Sequence, residues 1–249
     1  MRLVDYLKEQ KDIRLPGSLY EQTQIYMAYN SNRIEGSTLS LEQTSLLYTD
    51  NLVSTQSNNK LNDYIETNNH FTLFDHMLDT AEEPLSHDLL KKYHYLLKNG
   101  TDDSKKDWFN VGEYKSIPNI VGFHETTPPE KVVEEMDGLF RIYESSNKNL
   151  EDIVRFHVFL ELIHPFQDGN GRVGRIILFK ECLNNDIIPP IVQDSQKQSY
   201  YNGIQTYMDH PSKLHGLMQK YQRQYKKMID YYSKDIYFKS NIQNSKKVK

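Results

Sequence analysis

Apolar residues along this chain recur mostly at intervals of three and four, the spacing of amphipathic helices rather than the alternation of half-buried strands. Start and stop signals punctuate that pattern. Ser18 can cap a helix that runs through Tyr29 and ends at Gly36, a residue suited to the left-handed turn that stops a helix. Ser40-Leu41-Glu42-Gln43 has capping-box spacing and opens a short helix. A longer pattern covers about Asn62 to Leu78, and Ser86 opens another that stops at Asn99-Gly100. Between Ser116 and Thr127 the pattern changes. Ile117, Pro118, Ile120, Val121, Gly122 and Phe123 make a short β-like stretch with turn residues. Thr127-Pro128-Pro129-Glu130 again has capping-box spacing, with proline at the first helical positions, and predicts a helix to about Glu144.

The next two segments, Ile153 to Ile163 and Val173 to Leu183, are apolar on more than one face and read as central helices. Pro189-Pro190 ends this block, and a helix through Tyr200-Tyr201 follows. In the last helix Leu214, Met218, Tyr221, Tyr225, Met228 and Tyr232 share one face, which packs on the core. From Ser240 the chain is polar and basic and is expected to fray. The fold class is therefore mostly α with one short β-hairpin. The expected division is N-terminal helices over 1–45, a main helical core over 46–212, an amphipathic helix over 213–240 and a basic tail over 241–249.

Composition narrows the classes. A chain of 249 residues is one large domain, or one domain with appendages. A formal net charge of -4 argues against a dedicated nucleic-acid binder and against a polybasic membrane anchor. The one cysteine, Cys182, excludes an intrachain disulfide framework and a Cys-rich zinc site. Met1 to Lys8 is charged throughout, without a signal-peptide core, and no apolar run reaches the ~18–20 residues that span a bilayer. These features predict a soluble, cytoplasmic protein.

The chemistry concentrates between the two central helices, in His164-Pro165-Phe166-Gln167-Asp168-Gly169-Asn170-Gly171-Arg172-Val173-Gly174-Arg175. His164 ends one helix, Pro165 stops it, and Gly169 and Gly171 allow a tight turn. Arg172 and Arg175 then lie on one face of the next helix's first turn. Cations are locally unfavourable there, because a helix N-terminus already carries free N–H groups and partial positive charge. Two arginines plus backbone amides freed by glycine make a strong anion site, which a triphosphate would satisfy. Asp168 adds one carboxylate, suiting Mg²⁺ held by a carboxylate plus phosphates and water. His164 can take a proton near neutral pH. Gly169 to Gly174 is formally G-x-G-x-x-G, but a helix-length segment precedes it where a dinucleotide site needs a strand. An EF-hand fails, since Arg172 and Val173 replace a ligand and the required glycine. A structural loop whose arginines pair Asp or Glu explains one arginine but not the whole set.

The segment resembles the signature of the Fic (filamentation induced by cAMP) family, H-P-F-x-D/E-G-N-G-R-x-x-R, at every defined position. The resemblance implies a Fic-type helical core and a protein adenylyltransferase, which moves AMP from ATP to a Ser, Thr or Tyr hydroxyl of a target protein. It makes His164 the general base and Asp168 the Mg²⁺ ligand. Gly169, Asn170, Gly171 and Arg172 would cradle the phosphates, and Arg175 would take the γ-phosphate. Phe166 would anchor the loop. Ile120, Val121 and Gly122 would form the flap that aligns an extended target segment by strand pairing. Tyr200 and Tyr201 would line the adenine pocket; Met208 stands where many members have Asn, and Lys115 where relatives often have Arg.

Upstream, Ser31-Asn32-Arg33-Ile34-Glu35-Gly36 resembles the family's inhibitory helix, S/T-x-x-x-E-G/N. A carboxylate at the negative end of a helix wants a cation, and Arg175 is the candidate partner of Glu35. Ser31, one turn earlier, can steady it. The helix itself would be the element whose displacement switches the enzyme. Rival readings are hydrolytic removal of AMP with Glu35 orienting a water, and a nucleotide-binding regulator without catalysis; the intact His164 speaks against the latter. Phosphate transfer is disfavoured because Gly171 is intact. Self-modification and a homodimer are further partnerships to test.

Overall fold

A computed structural model of the chain describes residues 1–52, 60–121 and 124–246. Ten helices and one two-stranded pairing lie among them: α1 Leu3–Asp12, α2 Leu19–Ile34, α3 Leu41–Asp50, α4 Leu61–Asp79, α5 His87–Lys98, β1 Ile120–Val121, β2 His124–Glu125, α6 Val132–Glu144, α7 Leu150–Ile163, α8 Asn170–Asn184, α9 Lys197–Gln205 and α10 Pro211–Lys246. The fold is mostly α, as the hydrophobic spacing predicts.

Local chemistry accounts for most boundaries. The Ser18 side chain accepts from the Glu21 N–H at the start of α2, and Ser40 and Gln43 complete the capping box of α3. Ser86 and Asn149 cap α5 and α7 in the same way. Thr127 does not do so. Residues 129–131 form a single 3₁₀ turn before α6, and no side chain caps it, because Pro128 and Pro129 already fix the entry and supply no N–H to bond. At the other end α10 continues past Ser240, where fraying is expected, to Lys246.

α8 runs through the centre. Val173, Ile176, Ile177, Leu178, Phe179, Cys182 and Leu183 are all buried, which needs neighbours on every side. α7 packs along it through Val154, Val158 and Leu160, and α2, α4 and α5 close the opposite side through Met27, Phe74 and Leu90. Leu214, Met218, Tyr221 and Tyr225 of α10 are buried on the same core, and the Tyr225 hydroxyl meets Thr23 Oγ1 of α2 at 2.9 Å. This arrangement brings the C-terminus of α7, the N-terminus of α8, the end of α5 and the end of α2 to one place. Among the described residues no helix is long and apolar enough to cross a membrane.

Candidate active site

The loop from α7 to α8 is built as a rigid turn. His164 follows α7 in the left-handed region at φ 53°, uncommon for a non-glycine residue, and its N–H donates to Leu160 O. Phe166 is wholly buried and stacks on His94 of α5, with ring centroids 4.1 Å apart and planes 4° apart. Asn170 closes the turn, its Oδ1 accepting from the Phe166 N–H and its Nδ2 donating to Phe166 O, both at 2.8 Å. Its side chain therefore shapes the loop, leaving its amide to the helix start. His94 Nδ1 accepts from the Gly112 N–H at 2.9 Å, so its proton sits on Nε2 and is donated to Asp168 O at 3.1 Å. Gly169 precedes α8 at φ 82° with no side-chain cap, so the first amides of α8 lack a side-chain acceptor there.

Arg172 and Arg175 are both buried, and each has its own set of partners. Arg172 donates to Glu66 Oε2 of α4 at 2.5 Å and to Asp168 Oδ2 at 3.1 Å. Arg175 donates through Nη2 to Glu35 Oε1 at 2.6 Å and to Ser31 O at 3.0 Å, and through Nε to Ser31 Oγ at 2.9 Å. Gly171 lies beneath this second pair. A Cβ there would strike the Glu35 carboxylate and the Arg175 guanidinium, so the pair as it stands lies where glycine leaves room. Gly36, at φ 98°, then turns the chain away from α2. The rest of α2 is deeply packed, with Leu19, Tyr20, Ile25, Met27, Ala28 and Ile34 buried. Withdrawal of the whole helix would expose that core.

The electrostatics separate the groups. His164 is held below the ordinary imidazole value, first by burial and also by the Lys115 ammonium, which keeps the ring neutral and able to accept a proton. Burial alone would raise Asp168, but Arg172 and Lys98 outweigh it and hold the carboxyl well below the usual range. Glu161, on α7 beside Arg175 and Glu35, is pushed up to about 7, chiefly by burial. His70 and His157 are held down to about 3 by burial and by the neighbouring arginines.

Around this centre, β1 and β2 pair antiparallel, with Ile120 opposite Glu125 and Val121 opposite His124. Ile120 and Val121 are exposed, and Gly122 lies outside the described residues. Lys115 ties the strand pair to the loop: its N–H donates to Pro165 O, and its Nζ to Asn119 Oδ1 and Thr126 Oγ1. Tyr200 is wholly buried with its hydroxyl on His157 Nε2 at 2.7 Å, while Tyr201 is partly exposed beside it. Of the two, only Tyr201 presents surface to a ligand.

One oxygen from each of Glu66, Asp103 and Asp168 lies within 4.8 Å of the other two. All three acids also bond the Lys98 ammonium, at 2.7, 2.6 and 2.7 Å respectively. Half of the Asp168 side chain is exposed, against 15% of Glu66 and 23% of Asp103. An accessible carboxylate beside an anion site fits Mg²⁺, which takes few protein ligands and keeps phosphate oxygens and waters.

Sequence reasoning picked out the loop and the Ser31–Gly36 segment but missed Glu66, His94, Lys98, Asp103 and Glu161. One signal was present: His94 and Lys98 share a helical face with buried Leu90 and Leu97, an odd place for polar groups.

Residues 84–182 match the Fic/DOC family. The protein adenylyltransferase fic-1 of Caenorhabditis briggsae is 27% identical over 200 residues, covering 75% of this chain and 37% of the relative. A probable protein adenylyltransferase from Aquifex aeolicus is 34% identical over 94 residues, covering 36% and 29%. This chain thus spans about a third of the curated relatives it matches. In fold it resembles a Fic domain containing signaling protein from Bacteroides thetaiotaomicron, with a TM-score of 0.75 and 22% identity over 92% of this chain and 96% of that one. It also resembles a Fic family protein from Desulfovibrio desulfuricans, with a TM-score of 0.71 and 22% identity over 90% and 70%.

Proposed function

We propose that this chain, which carries a Fic/DOC domain over residues 84–182, is a protein adenylyltransferase that moves AMP from ATP to a hydroxyl of a target protein and is restrained by Glu35. One observation carries the reading. A half-buried, neutral-leaning His164 stands one tight turn before the uncapped N-terminus of α8, with the Asp168 carboxylate between them.

His164 removes the proton of the target hydroxyl as that oxygen bonds to the α-phosphorus, and pyrophosphate leaves. The α8 amides with Gly169, Asn170 and Gly171, and the side chain of Arg172, hold the phosphates. Asp168 would hold Mg²⁺, which neutralises phosphate charge when bound. Tyr201 borders the adenine, with Tyr200 behind it. Exposed Ile120 and Val121 accept an extended target segment by strand pairing, and Lys115 keeps that edge in register with His164. Work in the cytoplasm, self-modification and pairing with a second copy complete the reading. Glu35 occupies the Arg175 guanidinium that the γ-phosphate needs.

A second reading, removal of AMP, is favoured by the partial exposure of Glu35 at this turn, where it could orient a water. The test is parallel incubation with α-³²P-ATP and γ-³²P-ATP, with and without target lysate. Label only from the α position is expected, and His164→Ala should lower it by about 10²–10⁴-fold. Label from the γ position, or full transfer by the variant, rejects the assignment.

A further inference from the structure

Lys98 is the most deeply buried charge at the site. Its side chain is wholly inaccessible, and its Nζ sits among Glu66 Oε1, Asp103 Oδ2 and Asp168 Oδ2. Those acids come from three places: α4, the turn after α5, and the loop before α8. The Phe109 ring lies against the same ammonium, 5.5 Å from its centroid. Three carboxylate oxygens so close repel one another, and in a buried setting they need a cation among them. A divalent ion could fill that space, but the ammonium already fills it. Both Lys98 and Arg172 grip Oδ2 of Asp168, so that carboxylate is fixed from its inner side while half of its side chain faces outward.

We infer that Lys98 is a positioning residue that takes the place of a metal ion among Glu66, Asp103 and Asp168, so that a divalent cation is held only together with a nucleotide's phosphates. The inference rests on the proposed nucleotide site and adds an order to its assembly. The arithmetic of charge agrees with it. Glu66, Asp103 and Asp168 bring three negative charges, and Lys98, Arg172 and Lys106, which bonds Asp103 Oδ1 at 2.6 Å, return three. No net negative charge remains to strip a divalent ion of its water without phosphate oxygens. With Lys98 neutral one negative charge would stand uncovered, and three oxygen donors would stand ready-made.

The test is Mn²⁺ binding to the full chain without nucleotide, followed by electron paramagnetic resonance. Wild type is expected to show no site tighter than about 1 mM, a weak-site value for oxygen-ligated cations. Lys98→Met should gain one at least about tenfold tighter. Lys98→Arg keeps the charge and should behave as wild type. Circular dichroism and a cooperative melt establish that each variant is folded, and Lys98→Gln serves if Lys98→Met is not. A folded neutral variant that gains no site overturns the inference. So does a nucleotide-independent site in wild type that Asp103→Asn removes, a result that needs no Lys98 variant to fold. ATP binding by wild type, measured separately by calorimetry, tests the nucleotide site itself, so the two ideas fail on different measurements.

Discussion

Arg172 and Arg175 leave the same helix three residues apart and are equally buried, yet they are held by different kinds of structure. The partners of Arg172, Glu66 and Asp168, are bonded in turn to Lys98, so this half is a closed network with every charge answered. The carboxylate and serine partners of Arg175 come from the end of α2, with the Tyr200 hydroxyl of α9 beside it, and Glu35 has no second cation behind it in the bonds described. Each guanidinium leaves one nitrogen without an acceptor, Nε of Arg172 and Nη1 of Arg175, so the contrast lies in the partners. One arginine is thus part of the frame. The other is bound by a group that a better anion can displace. A motif written as one string is held by two sets of partners, and the difference comes largely from residues outside it.

The largest effect expected from this contrast is at Arg172. Arg172→Ala should cost about 3–5 kcal/mol of stability, because it strands two carboxylates packed beside Lys98, and it should abolish ATP binding. Urea unfolding and calorimetry check both. A loss under 1 kcal/mol, on the scale of exposed ion pairs, would dissolve the distinction between frame and switch.

Glu35→Gly comes next. It removes a charged hydrogen bond from a buried guanidinium that keeps its two Ser31 contacts, so about 1–3 kcal/mol of stability should go. AMP transfer should rise, by roughly 5–150-fold if the contact couples as ordinary regulatory contacts do. Automodification at fixed ATP and Mg²⁺ measures the change. Equal or lower transfer would show that the pair is structural, like that of Arg172.

The unequal legibility of the two halves has a physical cause. Glycines, a helix N-terminus and two cations in a row carry their chemistry locally, so the loop could be read from its own residues. The Ser31–Gly36 turn was legible for the same reason, as a carboxylate at the wrong end of a helix. Lys98 was not. It ends α5, where a lysine usually meets the helix dipole in water, and nothing local announces three acids brought from 5 to 70 residues away. Lys180 and Glu181, an ion pair inside the central helix, escaped notice similarly, since their partners Glu83 O and Tyr143 are fixed only by packing. The capping box at Thr127 failed for the opposite reason: two prolines overrode a local signal.

Protons should also tell the halves apart. Folded Asp168 titrates below its ordinary 3.8, so its stabilisation is present above about pH 3.8 and is lost as pH falls. Glu161, beside Arg175, has the opposite sign. It titrates at about 7 folded against an ordinary 4.5, so its contribution is full below pH 4.5 and is lost as pH rises through about 7. Besides Arg175 and Glu35, His157 lies near, 3.9 Å from Glu161 Oε1, and Tyr200 and Tyr201 feel its charge. Wild type should therefore lose on the order of 2–3 kcal/mol relative to Glu161→Gln between pH 5 and pH 8. Parallel stability curves for the two proteins would place Glu161 outside the Arg175 half.

The smallest effect is expected at Ser31, and it is the one that decides whether Glu35 acts alone. The Ser31 hydroxyl accepts from Arg175 Nε at 2.9 Å, while the Ser31 carbonyl accepts from Nη2 at 3.0 Å. Ser31→Ala removes the first bond only. The backbone carbonyl cannot be mutated away, and Glu35 still holds Nη2. The variant should therefore lose about 0.5–1.5 kcal/mol, the net worth of one hydrogen bond. It loosens the guanidinium at one edge, so automodification should rise, but by less than in Glu35→Gly. In the double variant Ser31→Ala/Glu35→Gly the serine should matter less than it does alone, because a hydroxyl that steadies an inhibitory pair has nothing to steady once the pair is gone. Additive effects on automodification would mean that Ser31 restrains Arg175 independently of Glu35. The restraint would then belong to the whole last turn of α2 rather than to a single carboxylate.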